Sequence, residues 1–312
     1  MKRLGIALAA LVLLLILFIA ATWAPDRPVS DLQTRWAQPP SAFADVAGMS
    51  VHLRDQGQRD DPSPIVLLHG TSASLHTWEG WVRALQEKRR VVSFDLPGFG
   101  LTGPAPNDDY SIEAYVRFVG ALLDHLGIQK CTLGGNSFGG YVAWMSALAM
   151  PERVEKLILI DSGGYPLPSG SLPIAFRMAQ TPGLAPVVEN LLPRSVVAAS
   201  VRSAYADLGK VSRELIDRYY ELALRQGNRR ALVKHFQQAP IGANQNRIPE
   251  LKLPTFILWG KQDRLVPVDL AERFHKDIAG SELLIFNDLG HVPQEEDPAR
   301  TVAALQQFLG LK

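Results

Sequence analysis

A serine stands between two glycines in Gly135-Asn136-Ser137-Phe138-Gly139, directly after the strand-like run Lys130 to Gly134 and before the helix-like stretch Tyr141 to Met150 that Pro151 stops. In a strand-turn-helix elbow of the G-x-S-x-G type the chain reverses so sharply that only small residues fit two places before and two places after the serine. The turn lifts the hydroxyl off the sheet, and the first amide of the helix points at the place where an oxyanion would form. Phe138 carries that amide. A serine hydroxyl is protonated at neutral pH, so it needs a base, and the base needs a carboxylate to fix its tautomer and stabilise its charged form.

In a parallel sheet such partners belong at the carboxyl ends of later strands, on the side where the elbow opens. Asp263 follows the apolar run Thr255 to Trp259, and His291 follows Leu283 to Phe286 by a short loop, giving the chain order serine, aspartate, histidine. Asp161 also ends a strand-like run and is the alternative acid. Asp95 reads as a turn cap. His52 and His125 lie on strand or helix faces, and His76, His235 and His275 read as ordinary polar positions. The second oxyanion donor is expected in the loop His69-Gly70-Thr71-Ser72, at the amide of Thr71, with His69 bracing the loop.

Two other chemistries lack support. Gly98-Phe99-Gly100-Leu101-Thr102-Gly103 has the glycine spacing of a dinucleotide-binding turn, but Pro104 and Pro106 stand where its helix must start. No pair of histidines has the spacing H-E-x-x-H of a zinc hydrolase.

The elements that must carry these groups alternate. An Ala44 to Asp55 hairpin around Ala47-Gly48 precedes Ile65 to Leu68, an amphipathic Trp78 to Lys88, Val91 to Phe94, a helix over Ser111 to Leu126, the elbow strand and its helix, and Leu157 to Ile160. Strands and helices in turn imply a largely parallel sheet covered on both faces. From about Gly164 to Pro249 the pattern is helical and proline-punctuated, as in Ser212 to Gln226, and reads as an inserted cap. Alternation resumes through Thr255 to Trp259, a helix near Asp269 to Ile278, Leu283 to Phe286, and a last helix capped by Asp297 with Pro298 at its first position. The organisation expected is thus a core of residues 43–163 and 250–312 with a cap of residues 164–249.

The 312 residues, 47% hydrophobic and 20% charged, suffice for one large globular body. A formal net charge of +1 leaves no basic excess to meet phosphates, so nucleic acid is not an expected partner. Cys131 is the only cysteine and reads as a buried, inert thiol. Lys2 and Arg3 precede an uncharged apolar run from Leu4 to about Trp23, long enough as a helix to cross a bilayer. Residues 1–24 are therefore expected to be an N-terminal membrane anchor that sends the body to the non-cytoplasmic side; a cleaved signal segment and a secreted body are the alternative. Residues 25–42, with Pro25, Pro28, Pro39 and Pro40, read as an extended linker.

With these residues in hand, the chain resembles the cap-bearing branch of the α/β-hydrolase superfamily from about Phe43 onward. The resemblance rests on Leu68-His69-Gly70, Asp95-Leu96-Pro97-Gly98-Phe99-Gly100, Gly135-Asn136-Ser137-Phe138-Gly139-Gly140, Trp259-Gly260-Lys261-Gln262-Asp263 and Gly290-His291-Val292-Pro293. It implies an eight-stranded, mostly parallel sheet, a triad of Ser137, His291 and Asp263, oxyanion donors at Phe138 and Thr71, and no cofactor. Ser137 separates the chain from relatives with a nucleophilic aspartate, and Ser72 from cofactor-free haloperoxidases. Asn136 and Asp161-Ser162-Gly163-Gly164 resemble hydrolases that cleave carbon–carbon bonds in aromatic ring-fission products, which commonly carry tryptophan where this chain has Val292. The reading is a serine hydrolase of carboxylic esters with hydrophobic acyl groups. Carbon–carbon hydrolysis of vinylogous diketone acids is the alternative, and a non-catalytic, membrane-tethered binding module is the reading from outside enzymology.

Overall fold

In a computed structural model, which describes residues 2–168, 170–181 and 183–311, eight strands form one sheet in the order β1-β2-β4-β3-β5-β6-β7-β8. The strands are β1 (Ala42–Val46), β2 (Met49–Gln56), β3 (Ile65–Leu68), β4 (Val91–Phe94), β5 (Cys131–Asn136), β6 (Val154–Ile160), β7 (Thr255–Gly260) and β8 (Glu282–Phe286). Only β2 runs against its neighbours; from β4 across to β8 every pairing is parallel. The β1–β2 hairpin turns at Ala47 and Gly48, both at positive φ, as a two-residue turn requires.

Residue parity along the strands divides the core. Val66, Leu68, Leu133, Leu157, Leu159, Ile257 and Trp259 pack on one face with α4 (Ile112–His125), α5 (Phe138–Ala149) and α11 (Asp269–Asp277). Ile65, Leu67, Ile158, Ile160, Phe256 and Leu258 pack on the other with α3 (Glu79–Leu85) and α13 (Pro298–Leu309). Strands buried on both faces need unbroken aliphatic runs, which is why these segments read as continuous rather than alternating. Cys131 lies in this core, and burial pushes its thiol up to about 12.

Local signals fix several ends. Ser111 caps α4 by accepting the Ala114 amide, and Asp297 caps α13 by accepting the Arg300 amide. Between β6 and β7 the chain leaves the sheet for five helices, α6 (Ile174–Gln180), α7 (Ala185–Asn190), α8 (Arg194–Ala204), α9 (Arg213–Ala223) and α10 (Asn228–Gln238). A one-turn helix, α12 (Pro293–Glu296), follows the His291 loop.

The N-terminus departs from expectation in two ways. The apolar run forms a helix, α1 (Lys2–Thr22), but no helix among the described residues is long and apolar enough to cross a membrane, so the fold does not support the expected transmembrane helix. Its end is docked on the body instead: Leu192 donates its amide to Thr22 O at 3.1 Å, and Ala24 donates to Asn190 O at 3.0 Å. The segment read as an extended linker contains a second helix, α2 (Val29–Trp36). Eight residues are too few to hold a helix by propensity. Tertiary contacts hold it: Leu32 and Trp36 pack on Leu101 and Leu222, and Trp36 Nε1 donates to Glu221 at 2.7 Å.

Candidate functional site

Ser137 lies between the last residue of β5 and the first of α5, with φ 55 and ψ −119, a backbone conformation unfavourable for any residue with a side chain. The neighbouring glycines are demanded by contact. A methyl group at Gly135 would collide with Gly139 O, and one at Gly139 with Leu68 O. The elbow read from sequence is the elbow the chain forms.

Asp263 and His291 meet 28 positions apart in sequence, with His291 Nδ1 2.7 Å from Asp263 Oδ2. Asp263 Oδ1 accepts the amides of Leu265 and Val266 at 2.7 and 3.0 Å, so the carboxylate is aimed before any substrate arrives. With Nδ1–H donated to Asp263, His291 Nε2 is left with its lone pair, the form a general base needs. Three bonds hold the histidine loop: His291 N to Ala204 O at 2.7 Å, Asn136 Nδ2 to His291 O at 2.9 Å, and Gly290 N to Glu296 Oε2 at 2.8 Å. Through Asn136 the residue before the serine and the backbone of the histidine are tied together.

Ser137, His291, Thr71 and Phe138 all line one cavity of ≈ 330 Å³. The amides of Thr71 and Phe138 donate to no partner among the described residues, which leaves two N–H groups free beside the serine. His69 holds the first of these loops, with Nδ1 2.8 Å from Gly70 O and Nε2 accepting the Leu96 amide at 3.0 Å, and burial lowers its basicity. It braces, as expected. The structure draws no hydrogen bond between Ser137 Oγ and His291; in unliganded sites such contacts are often long and tighten only with substrate.

Lining residues to which the sequence reading gave no part in the site include His235 and Phe18. His235, read as an ordinary polar position, is buried in the cavity wall with its ring centroid 4.3 Å from that of Phe138, and burial alone lowers it to about 3, so it is neutral. The spacing of Arg229, Leu232, His235 and Phe236, all lining the cavity, is that of one helix face and was a usable signal. Phe18 of α1 lines the same cavity, which no local pattern foretells.

A strained serine at a strand-helix elbow, an aspartate-bound imidazole and two amides on one cavity, set at one end of a doubly covered sheet, point to a hydrolase by class. Residues 63–298 match the α/β-hydrolase fold family, and the chain belongs to it. A 2-hydroxy-6-oxo-2,4-heptadienoate hydrolase of Pseudomonas putida is 29% identical over 275 residues, 85% of this chain and 94% of its own. A 2-hydroxy-6-oxononadienedioate/2-hydroxy-6-oxononatrienedioate hydrolase of Escherichia coli is 31% identical over 80% of this chain and 86% of its own. Among solved structures, a membrane phospholipase A superposes with TM-score 0.75 at 24% identity, covering 99% of this chain and 98% of its own. A meta-cleavage product hydrolase of Pseudomonas fluorescens also reaches 0.75 at 24% identity, over 86% of this chain and 97% of its own.

Proposed function

We propose that the protein is a serine hydrolase that cleaves carboxylic esters of hydrophobic acyl substrates held at a membrane. Ser137 attacks the ester carbonyl while His291 takes its proton, and the Phe138 and Thr71 amides hold the oxyanion. The leaving alcohol departs with the proton from His291, an acyl-enzyme remains, and His291 then activates water to release the acid. Asp263 stabilises the imidazolium. No cofactor is needed by this chemistry.

The observation that carries the ester reading is the cavity wall. It runs from Ser137 past Val197, Phe236 and Ile241 of the helical insertion to Phe18 of α1, and is lined mostly by aliphatic and aromatic side chains. Among the described residues its one arginine, Arg229, has Nη2 2.7 Å from Asp26 Oδ1, while its buried Nε and Nη1 have no partner there. Those two donors are what a substrate carboxylate would meet, and they count toward the second reading below. The helical insertion, residues 164–249, is in this reading the cap that selects the acyl group.

The membrane part rests on α1. Leu4, Ile6, Leu11, Leu14 and Phe18 are exposed on it, and Lys2 and Arg3 precede the run. So much apolar surface on one helix is stabilised by lipid. In this reading the body lies outside the cytoplasm, held on the membrane surface by the apolar face of α1, or secreted if the segment is cleaved. Protease digestion of intact cells checks this, since a body reachable only after lysis of the cytoplasm would refute it.

Carbon–carbon hydrolysis is the second reading, favoured by the names of the Pseudomonas putida and Escherichia coli relatives. One panel ranks the two: full-length protein in detergent, assayed on esters of graded acyl length and on one vinylogous diketone acid. Faster turnover of the diketone acid would reverse the order, and fast labelling by a fluorophosphonate excludes the non-catalytic module.

A further inference from the structure

Asp161 combines three unfavourable features. It follows β6 with φ 43, its side chain is wholly inaccessible, and its Oδ2 has no hydrogen-bonding partner among the described residues. Its other oxygen accepts a single bond, from the Gly260 amide at 3.1 Å. Buried polar atoms and left-handed backbone of this sort persist where the surroundings impose them, and they gather at functional sites. The surroundings here are the triad: one polar side-chain atom each from Asp161, Asp263 and His291 lie within 4.8 Å of one another.

Charge counting decides the state of the pair. Asp263 is the better solvated anion, with two amides and the His291 N–H directed at it. Asp161 has one amide and, among the described residues, no ion pair. Glu296, bonded to the Gly290 amide on the histidine loop, adds a further negative charge nearby. Two carboxylates this close in a sealed site cannot both ionise, and the proton belongs on the one with fewer donors. Burial, followed by the charge and hydrogen bond of Asp263, raises Asp161 well above the carboxylate range.

We propose that Asp161 is a positioning residue: a neutral carboxylic acid that donates its Oδ2–H to Asp263 and holds that carboxylate in line with His291. The inference rests on the assignment of Ser137, His291 and Asp263 as the catalytic set. In the cycle the serine proton moves to His291 Nε2 and back out to the leaving alcohol, and the Asp161 proton stays where it is. Its hydrogen bond stabilises Asp263 as an anion, so that Asp263 orients the imidazolium without taking its proton.

The test uses the full-length protein in detergent and two substitutions. Asp161→Asn keeps a donor at the same place, whereas Asp161→Leu has none. We expect Asp161→Leu to lose about 10²-fold in kcat/KM, the scale of a misplaced catalytic group, to shift the acid limb of the pH profile upward, and Asp161→Asn to recover most of both. Infrared difference spectra at neutral pH should show a protonated-carboxyl band in the wild type that Asp161→Asn removes. Equal losses in the two variants, or no such band, would overturn the proposal. The band does not depend on turnover, and fluorophosphonate labelling of the wild type reports separately on the catalytic set, so either reading can fail alone.

Discussion

Two imidazole–carboxylate pairs occupy this molecule, at the same separation. His52 Nδ1 lies 2.7 Å from Asp95 Oδ2, and His291 Nδ1 lies 2.7 Å from Asp263 Oδ2. Both aspartates also accept two backbone amides, Asp95 from Leu75 and Leu101, Asp263 from Leu265 and Val266. The difference is where the second ring nitrogen goes. His52 Nε2 is spent on Ser41 Oγ at 2.9 Å, and His52 and Asp95 are themselves wholly buried, whereas His291 lines the cavity with Ser137. A buried pair with every valence used is a rivet; the same pair with one lone pair facing the cavity of Ser137 is, in the proposed function, a base.

Removing the proposed nucleophile should have the largest effect on the comparison. Ser137→Ala is expected to lower kcat on an activated ester by about 10⁶-fold while the melting temperature stays within a few degrees. Asp263→Asn should follow, at about 10⁴-fold, because the wrong tautomer then faces the serine. Asp95→Ala is the converse. Breaking the riveted pair should cost about 3–5 kcal/mol of folding free energy in denaturant titrations. Fluorophosphonate labelling per folded molecule should be unchanged. If Asp95→Ala abolishes labelling of protein that is still folded, the two pairs are not separate in role.

The sequence made one half of this contrast legible. Ser137, Asp263 and His291 stand at ends of strands whose aliphatic runs are unmistakable, and the glycines at 135 and 139 are required by backbone collisions that any such elbow shares. Phe138 is placed by the same elbow, and Thr71 by the loop that follows β3. The riveted pair was harder to see, since His52 and Asp95 are 43 positions apart on β2 and beyond β4, and only the antiparallel pairing of those strands brings them together. The same reason hid α2 and the cavity position of Phe18. Their placement depends on contacts with the helical insertion 170 or more residues away, such as Leu192 on Thr22 and Glu221 on Trp36. The glycine-rich turn that follows Asp95 serves that aspartate rather than a phosphate: Leu101 donates its amide to Asp95 Oδ2 at 2.8 Å.

The smallest expected effect separates the carboxylates by the sign of their pH dependence. Burial alone would raise Asp95, but the charge and hydrogen bond of His52, with His69 and His76 beyond, hold it well below the usual 3.8. Its contribution to stability is therefore full above that value and lost as pH falls further into acid. Asp161 is shifted the other way, so its contribution is full below 3.8 and declines as pH rises, because the unfolded chain releases a proton there and the folded chain does not. Each pH unit through which only one state is protonated is worth about 1.4 kcal/mol for a single group. Between pH 5 and pH 8, Asp161→Asn should therefore lose less stability in urea than the wild type does, and between pH 5 and pH 3 Asp95→Asn should lose less than the wild type. Parallel curves for Asp161→Asn and wild type across the upper interval would mean that Asp161 ionises in the folded protein, and the distinction between a carboxylate that anchors and one that holds a proton beside the catalytic pair would fail.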